Sequence, residues 1–264
     1  MRRKESFNNA AELYNEVRPS YPDELIDWII EKANIRPKDT LLEIAPGTGQ
    51  CTKKFAERDF RILAVELGDK LAEILLENMK NKDVTVDVSS FEEWTPSKNV
   101  KYNLIYCATA WHWLDSDVKY QKTSDLLNKN GRLAIIWNNS LGNLENKIME
   151  EAYKLLFSYH QDTPFSTKPK TEDEIKVQIM ETKTVLEESG HYLLEDYYIK
   201  TWTLKQTKEK LIKGFYTQSS YLSLCDEDKT DINEKLNVLF ESLEDEVETF
   251  FKSVVYLCKK NSRQ

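Results

Sequence analysis

The 264-residue chain is notable first for what it lacks. Its four cysteines, Cys51, Cys107, Cys225 and Cys258, are widely spaced and form no CxxC pair. Neither a zinc site nor a disulfide framework is signalled, and a reducing cytoplasm is the expected compartment. No apolar run approaches the ~18 residues of a membrane span, and no apolar signal-peptide segment follows Met1-Arg2-Arg3-Lys4, so no membrane partner is expected. The basic start is read as a mobile terminus. A basic excess is also missing: the formal net charge is -8, a poor match for duplex nucleic acid.

Aromatics are plentiful, with 13 Tyr, 10 Phe and 6 Trp, which is a globular composition. Five short apolar runs stand out in the first half: Thr40–Ala45, Arg61–Leu67, Val84–Val88, Tyr102–Ala108 and Gly131–Trp137. Near-continuous apolarity is expected of strands buried on both faces. Helical patterns fall between them, and strand alternating with helix predicts a parallel sheet. Before them, Tyr21–Lys32 reads as a helix, with Pro22 in its first turn and Leu25, Ile26, Ile29 and Ile30 in one stripe. In the second half, Asn143–His160, Lys208–Tyr216 and Asp231–Phe251 read as helices. Thr163–Glu174 reads as a loop, and Tyr197–Lys205 and Ser253–Lys260 as strands. Within Asp231–Phe251, the stretch Glu241–Phe251 is taken as an amphipathic turn of helix with Leu243, Val247 and Phe250 inward. His160 and His191 carry no supporting pattern.

The chemistry concentrates after the first strand, in Leu41–Thr52, "LLEIAPGTGQCT". Gly47 and Gly49 permit close ligand approach and unusual φ values. A dinucleotide fingerprint would place a third glycine at 52, where the chain has Thr52. The Gly-Lys-Ser/Thr of a P-loop is absent. Glu43, two residues before the turn, would repel a pyrophosphate and attract an amine. Glu66 closes the next strand, where an acid can accept both ribose hydroxyls. A nucleoside with a free ribose and a cationic amine fits; S-adenosyl-L-methionine is one.

Glu43–Gly49 resembles motif I of the class I S-adenosylmethionine-dependent methyltransferases. Three further stretches resemble the methyltransferase type-11-like branch: Tyr14–Pro22 its Y-x-x-x-R-P-x-Y-P leader, Tyr102–Asp115 its fourth-strand motif, and Leu126–Asn138 its fifth strand. The resemblance covers about the first 140 residues. The family usually has glycine where Ala45 stands, often has an acid where this chain reads Ser90-Phe91-Glu92, and commonly has Asp where Asn103 stands.

The resemblance implies an α/β fold: a Rossmann-like seven-stranded, mostly parallel sheet with helices on both faces, a helical cap, and one antiparallel strand. It implies a single domain over 1–264, divided into a helical leader or lid (1–35), a cofactor-binding core (36–140), and a cap with the last two strands (141–264). Cofactor contacts are expected from Tyr14, Arg18, Glu43, Ala45, Gly47, Thr48, Gly49, Glu66, Leu67, Ser90, Phe91 and Ala108. Arg18 is expected to pair with the methionine carboxylate, and Ser90 or the Phe91 backbone to read adenine. Trp111, His112 and Asn138 are expected at the acceptor, with His112 as candidate base and Trp113 in packing. No metal and no nucleic acid are expected. The activity implied is methyl transfer to a small molecule. A non-catalytic adenosylmethionine-binding regulator, a methyltransferase acting on protein or RNA, and a dehydrogenase stand as alternatives; Thr52 and Glu43 count against the last. Nothing in the sequence speaks to oligomeric state.

Overall fold

The structure is a computed structural model, and it describes residues 3–97, 100–140, 147–160 and 171–261. Its sheet has seven strands: β1 (Thr40–Ile44), β2 (Arg61–Glu66), β3 (Val84–Val88), β4 (Tyr102–Ala108), β5 (Leu127–Ser140), β6 (Tyr192–Thr207) and β7 (Glu246–Lys260). Their order is β3-β2-β1-β4-β5-β7-β6. The first five pair in parallel. Strand β7 runs the other way. Its residues Ser253 and Lys260 bond Asn138 and Leu127 of β5 in reverse order. Asn261 and Thr249 likewise meet His191 and Gln206 in reverse order along β6.

The helices are α1 (Ala11–Val17), α2 (Asp23–Ala33), α3 (Thr52–Ala56), α4 (Asp69–Asn78), α5 (Ser116–Leu126), α6 (Lys147–Ser158), α7 (Glu172–Glu188), α8 (Lys208–Tyr216), α9 (Ser219–Leu222) and α10 (Asp226–Glu241). Residues of both parities in the central strands, such as Leu41 with Leu42 and Leu104 with Ile105, are fully buried. Both faces of the sheet are therefore covered, which explains why these strands read as continuous apolar runs. On one face, Leu25, Ile26 and Ile29 of α2 join Leu41, Leu104, Ala134 and Val255 in one core. Each of these leucine, isoleucine and valine side chains contributes roughly 1.5–3 kcal/mol by burial. On the other, Tyr192 of β6 donates to Thr123 of α5 at 2.9 Å.

The chain divides into two compact units. The sheet unit holds Pro19–Asn138, Glu172–Lys200 and Ser253–Gln264. The helical unit holds Met1–Arg18, Asn139–Thr171 and Thr201–Lys252. The leader is thus split after Arg18. The helical unit has its own core, including Met149, Leu156, Phe215, Ile232, Leu236 and Phe240.

Three readings are corrected. The helix expected over Asp231–Phe251 ends at Glu241, starts earlier at Asp226, and gives way to β7 from Glu246. Val247, Thr249 and Phe251 face inward while Phe250 is only half-buried. That is a period of two, carried by β-branched and aromatic residues and stabilised by strand neighbours on both sides. Helix α7 occupies Glu172–Glu188, where no helix was assigned. The loop expected over Thr163–Glu174 lies outside the described residues as far as residue 170, and becomes helix from Glu172. The first four residues of the helix read over Asn143–His160 lie outside the described residues, as do Met1 and Arg2 of the basic start.

Candidate active site

Strand order reverses between β1 and β4, the place where open α/β sheets bind ligands at the carboxyl ends of their strands. The β1–α3 turn there is built on three left-handed residues, Ala45 (φ +53), Gly47 (φ +62) and Gly49 (φ +95). Ala45 donates its N–H to Val65 O at 2.9 Å, and Gly49 donates to Pro46 O at 3.2 Å. Thr48 is buried, and its carbonyl accepts from Asn78 Nδ2 of α4 at 2.8 Å.

Glu66 ends β2 against this turn. Its Oε2 accepts from Gly47 N–H and its Oε1 from Gly68 N–H, both at 2.9 Å. The side chain is 4% exposed. Burial raises the carboxyl above its ordinary range, against the pull of the Gly68, Gly47 and Leu67 backbone donors. Each carboxylate oxygen can accept more than one bond, so ribose hydroxyls can add to those the backbone already makes.

Glu43 lies deeper than expected. It is fully buried, and its Oε2 accepts from the Tyr106 hydroxyl at 2.8 Å while Oε1 has no hydrogen-bond partner among the described residues. Burial lifts its pKa to about 7, the nearby Thr52 and Tyr106 hydroxyls oppose the rise, and the Glu66 charge adds to it. A carboxyl so enclosed has no surface to offer an amine.

The β3–α5 region reads as follows. Ser90 Oγ accepts from Glu93 N–H at 3.2 Å. Phe91 is buried and stacks on Trp94 at 6.2 Å. Lys122 Nζ donates to Phe91 O at 2.6 Å, to Glu92 O at 3.2 Å, and to Trp94 O. The Phe91 carbonyl is therefore engaged, which leaves the Ser90 hydroxyl proton and the Phe91 N–H as donors for a base edge. Sequence reasoning missed Lys122 and Asn78, because a lysine or asparagine on a helix carries no pattern that announces a loop carbonyl as its partner.

Past β4, Ala108 leads to Thr109, also left-handed (φ +58), and to a 3-10 turn over Trp111–Trp113. The tryptophans reverse the expected burial. Trp111, placed at the acceptor by the sequence, is 6% exposed, with Lys119 Nζ 5.3 Å above its ring and donating to its carbonyl at 3.2 Å. Trp113 is the partly exposed one. His112 is exposed, with its ring 4.5 Å from Trp113 and 5.1 Å from Trp137. Asn138 is held at both ends of its amide: Oδ1 accepts from Ser253 Oγ at 2.5 Å and Nδ2 donates to Ser20 O at 3.3 Å.

Tyr14 and Arg18 belong to the helical unit. Arg18 lies 4.8 Å from the Tyr14 ring centroid, and its Nη2 donates to Thr217 O at 2.5 Å. Its Nε is buried without a hydrogen-bond partner among the described residues. His160 and His191 lie apart from these groups in sequence, and His160 Nε2 contacts Ser220 O at 2.7 Å.

A parallel five-strand core and an antiparallel seventh strand make a Rossmann-like seven-stranded sheet, with an acid-capped turn at its switch point. The comparisons agree. The family model for ribosomal RNA adenine dimethylase matches residues 22–136. An uncharacterized methyltransferase of Mycobacterium tuberculosis is 31% identical over 133 residues, 50% of this chain and 52% of the relative. The mitochondrial ribosomal RNA small subunit methyltransferase of Arabidopsis thaliana is 47% identical over 51 residues, 19% of this chain and 13% of the relative. The chain spans about half the length of the first curated relatives it matches. A provisionally named type II methyltransferase from Anaeromyxobacter dehalogenans superposes with a TM-score of 0.59 at 18% identity, over 91% of this chain and 97% of that one. Over its first half the chain is similar in sequence to S-adenosylmethionine-dependent methyltransferases, and it shares their fold.

Among the described residues, no helix is long and apolar enough to cross a membrane, and no group of His, Cys, Asp and Glu is arranged to hold a metal ion.

Proposed function

We propose that the chain binds S-adenosyl-L-methionine and transfers its methyl group to a small-molecule acceptor. The observation that carries this reading is the Glu66 carboxylate, capped by Gly47 and Gly68 N–H beside a left-handed turn at the switch point. An acid there accepts ribose hydroxyls, as a nucleoside ligand needs, and Thr52 in place of the third glycine of the fingerprint counts against a dinucleotide. Gly47, Thr48 and Gly49 would lie along the ligand, Leu67 beside the ribose, Ser90 and Phe91 at the adenine, and Ala108 at the methionyl end. Arg18, with an unsatisfied buried Nε, suits a carboxylate.

When bound, the cofactor supplies an activated sulfonium methyl, so the protein's part is alignment and exclusion of water. A base is needed only if the acceptor must lose a proton as it attacks. His112, exposed between two indole rings just past β4, is the residue for that task.

A small acceptor is supported by the net charge of -8, which disfavours a polyanionic one. Ribosomal RNA is the second reading, favoured by the matching family model and the Arabidopsis relative. Those matches fall within residues 22–136 or on a short segment, whereas acceptor choice resides in the parts outside a cofactor core.

The test is calorimetry with S-adenosylhomocysteine, followed by transfer of labelled methyl to a metabolite pool and, in parallel, to ribosomal RNA. Binding with label in the metabolite fraction supports the proposal. Label in RNA would move the acceptor to the second reading, and no binding would remove the function altogether.

A further inference from the structure

Two neighbouring strands flank the switch point, and both leave the sheet through a left-handed residue that is not glycine: Ala45 after β1 and Thr109 after β4. Of the described non-glycine residues with positive φ, Thr109 is the one with a β-branched side chain. A branched Cβ crowds the backbone in this region more than any other side-chain type, so the conformation persists only where neighbours hold it. Glycine or asparagine would make the same turn with less strain. What threonine adds is a hydroxyl.

That hydroxyl is in use. Thr109 Oγ1 lies 2.9 Å from the Tyr21 hydroxyl and accepts from Asn138 N–H at 3.4 Å, while Thr109 N–H donates to Ile136 O at 2.7 Å. Asn138 is fixed in turn by Ser253 of β7 and by Ser20, the residue before Tyr21. The leader and β5 therefore meet at the Thr109 side chain, and β7 is tied to them through Asn138. Tyr21 itself is 8% exposed and packs in the sheet core, so its hydroxyl is presented from a rigid base.

We propose that Thr109 is a positioning residue: locked by Tyr21, it fixes the path of Ala108–His112 and so sets the backbone that meets the methionyl end of the cofactor. This rests on the methyltransferase reading above. The strain is retained because the same hydroxyl ties the leader to the turn; a relaxed residue would keep the turn and lose the tie.

The experiment uses the full chain with Thr109→Gly, Thr109→Ser and Tyr21→Phe. Three quantities are measured: amide hydrogen exchange over residues 108–113, S-adenosylhomocysteine affinity by calorimetry, and Tm. Losing one hydrogen bond corresponds to about fivefold in an equilibrium. Thr109→Gly and Tyr21→Phe are expected to exchange faster over this segment and to bind S-adenosylhomocysteine about fivefold more weakly. Thr109→Ser should behave as the wild type. The Tm of Thr109→Gly should be unchanged or higher, which a residue serving stability alone would not show. Wild-type exchange and affinity in both Thr109→Gly and Tyr21→Phe would overturn the proposal. Wild-type protein that binds no S-adenosylhomocysteine would overturn it together with the methyltransferase reading.

Discussion

Glu66 Oε2 accepts the backbone N–H of Gly47 at 2.9 Å, joining the end of β2 to the turn that follows β1. The bond gives Glu66 two tasks, to hold the turn and to receive a ligand. Substitutions separate them. Glu66→Gln keeps an acceptor for one backbone donor, whereas Glu66→Ala leaves the Gly47 and Gly68 donors unmet. Charge-assisted bonds contribute about 1.5–3 kcal/mol each, so Glu66→Ala should weaken S-adenosylhomocysteine binding at least tenfold, about 1.4 kcal/mol. Calorimetry showing unchanged affinity for the alanine variant would exclude Glu66 from the site.

Glu43 leads to a pH dependence with a definite sign. Its pKa rises from an ordinary 4.5 to about 7 in the fold, chiefly through burial. Between those values the native state holds a proton that the unfolded chain has lost. Stability therefore falls as pH rises through this window and levels off above it. The full contribution is on the order of 3 kcal/mol. Glu43→Gln keeps an acceptor for Tyr106 and does not titrate. Thermal melts from pH 4.5 to 8 should show the wild type declining relative to Glu43→Gln. Parallel curves would mean that Glu43 ionises at its ordinary pH.

How much of this was legible follows from where each signal resides. That Glu66 meets the Gly47–Gly49 turn was legible, because chemistry dictates both residue type and spacing at the end of a buried strand; that Glu43 is enclosed beneath the turn was not. The parallel strands were readable because burial on both faces leaves uninterrupted apolar runs. The start of β7 was not: Val247 and Phe250, with Leu243 just before the strand, fit a helical stripe, and only neighbouring β5 and β6 select the extended form. Lys122 and the Tyr21–Thr109 contact were also hidden. Their partners are distant in sequence, and a carbonyl or a hydroxyl leaves no mark on spacing. Trp111 and Trp113 were exchanged because a 3-10 turn follows neither period, so alternation says nothing about which ring turns inward.

The turn itself distinguishes two small residues. Gly49 has φ +95, and a Cβ there would lie 2.5 Å from Leu75 Cδ1. Leu75 can shift, but the backbone strain stays, so Gly49→Ala should cost about 1–3 kcal/mol. Ala45 already bears the left-handed strain, at φ +53. Glycine would relieve about 1–2 kcal/mol of it and lose about 0.5–1 kcal/mol to chain entropy. Ala45→Gly should therefore be neutral or stabilising by up to about 1.5 kcal/mol in urea denaturation. A clear loss would show that the Ala45 methyl makes packing contacts that outweigh the strain.

Lys122 tests whether the Ser90–Trp94 loop reads the base. Its ammonium gathers the carbonyls of Phe91, Glu92 and Trp94, and partial burial lowers its pKa without freeing it from those partners. Bonds to a charged donor contribute about 1.5–3 kcal/mol, and the carbonyls of a surface loop recover part of this from water. Lys122→Met should thus loosen the loop, seen as faster amide exchange over residues 90–94, with a modest fall in Tm. If the loop receives adenine, affinity for adenosine should fall severalfold, and the loss should add to that of Glu66→Ala, because the two act on opposite ends of the nucleoside. Adenosine affinity that is unchanged while exchange accelerates would assign Lys122 to loop structure alone, and would move adenine recognition away from Ser90 and Phe91.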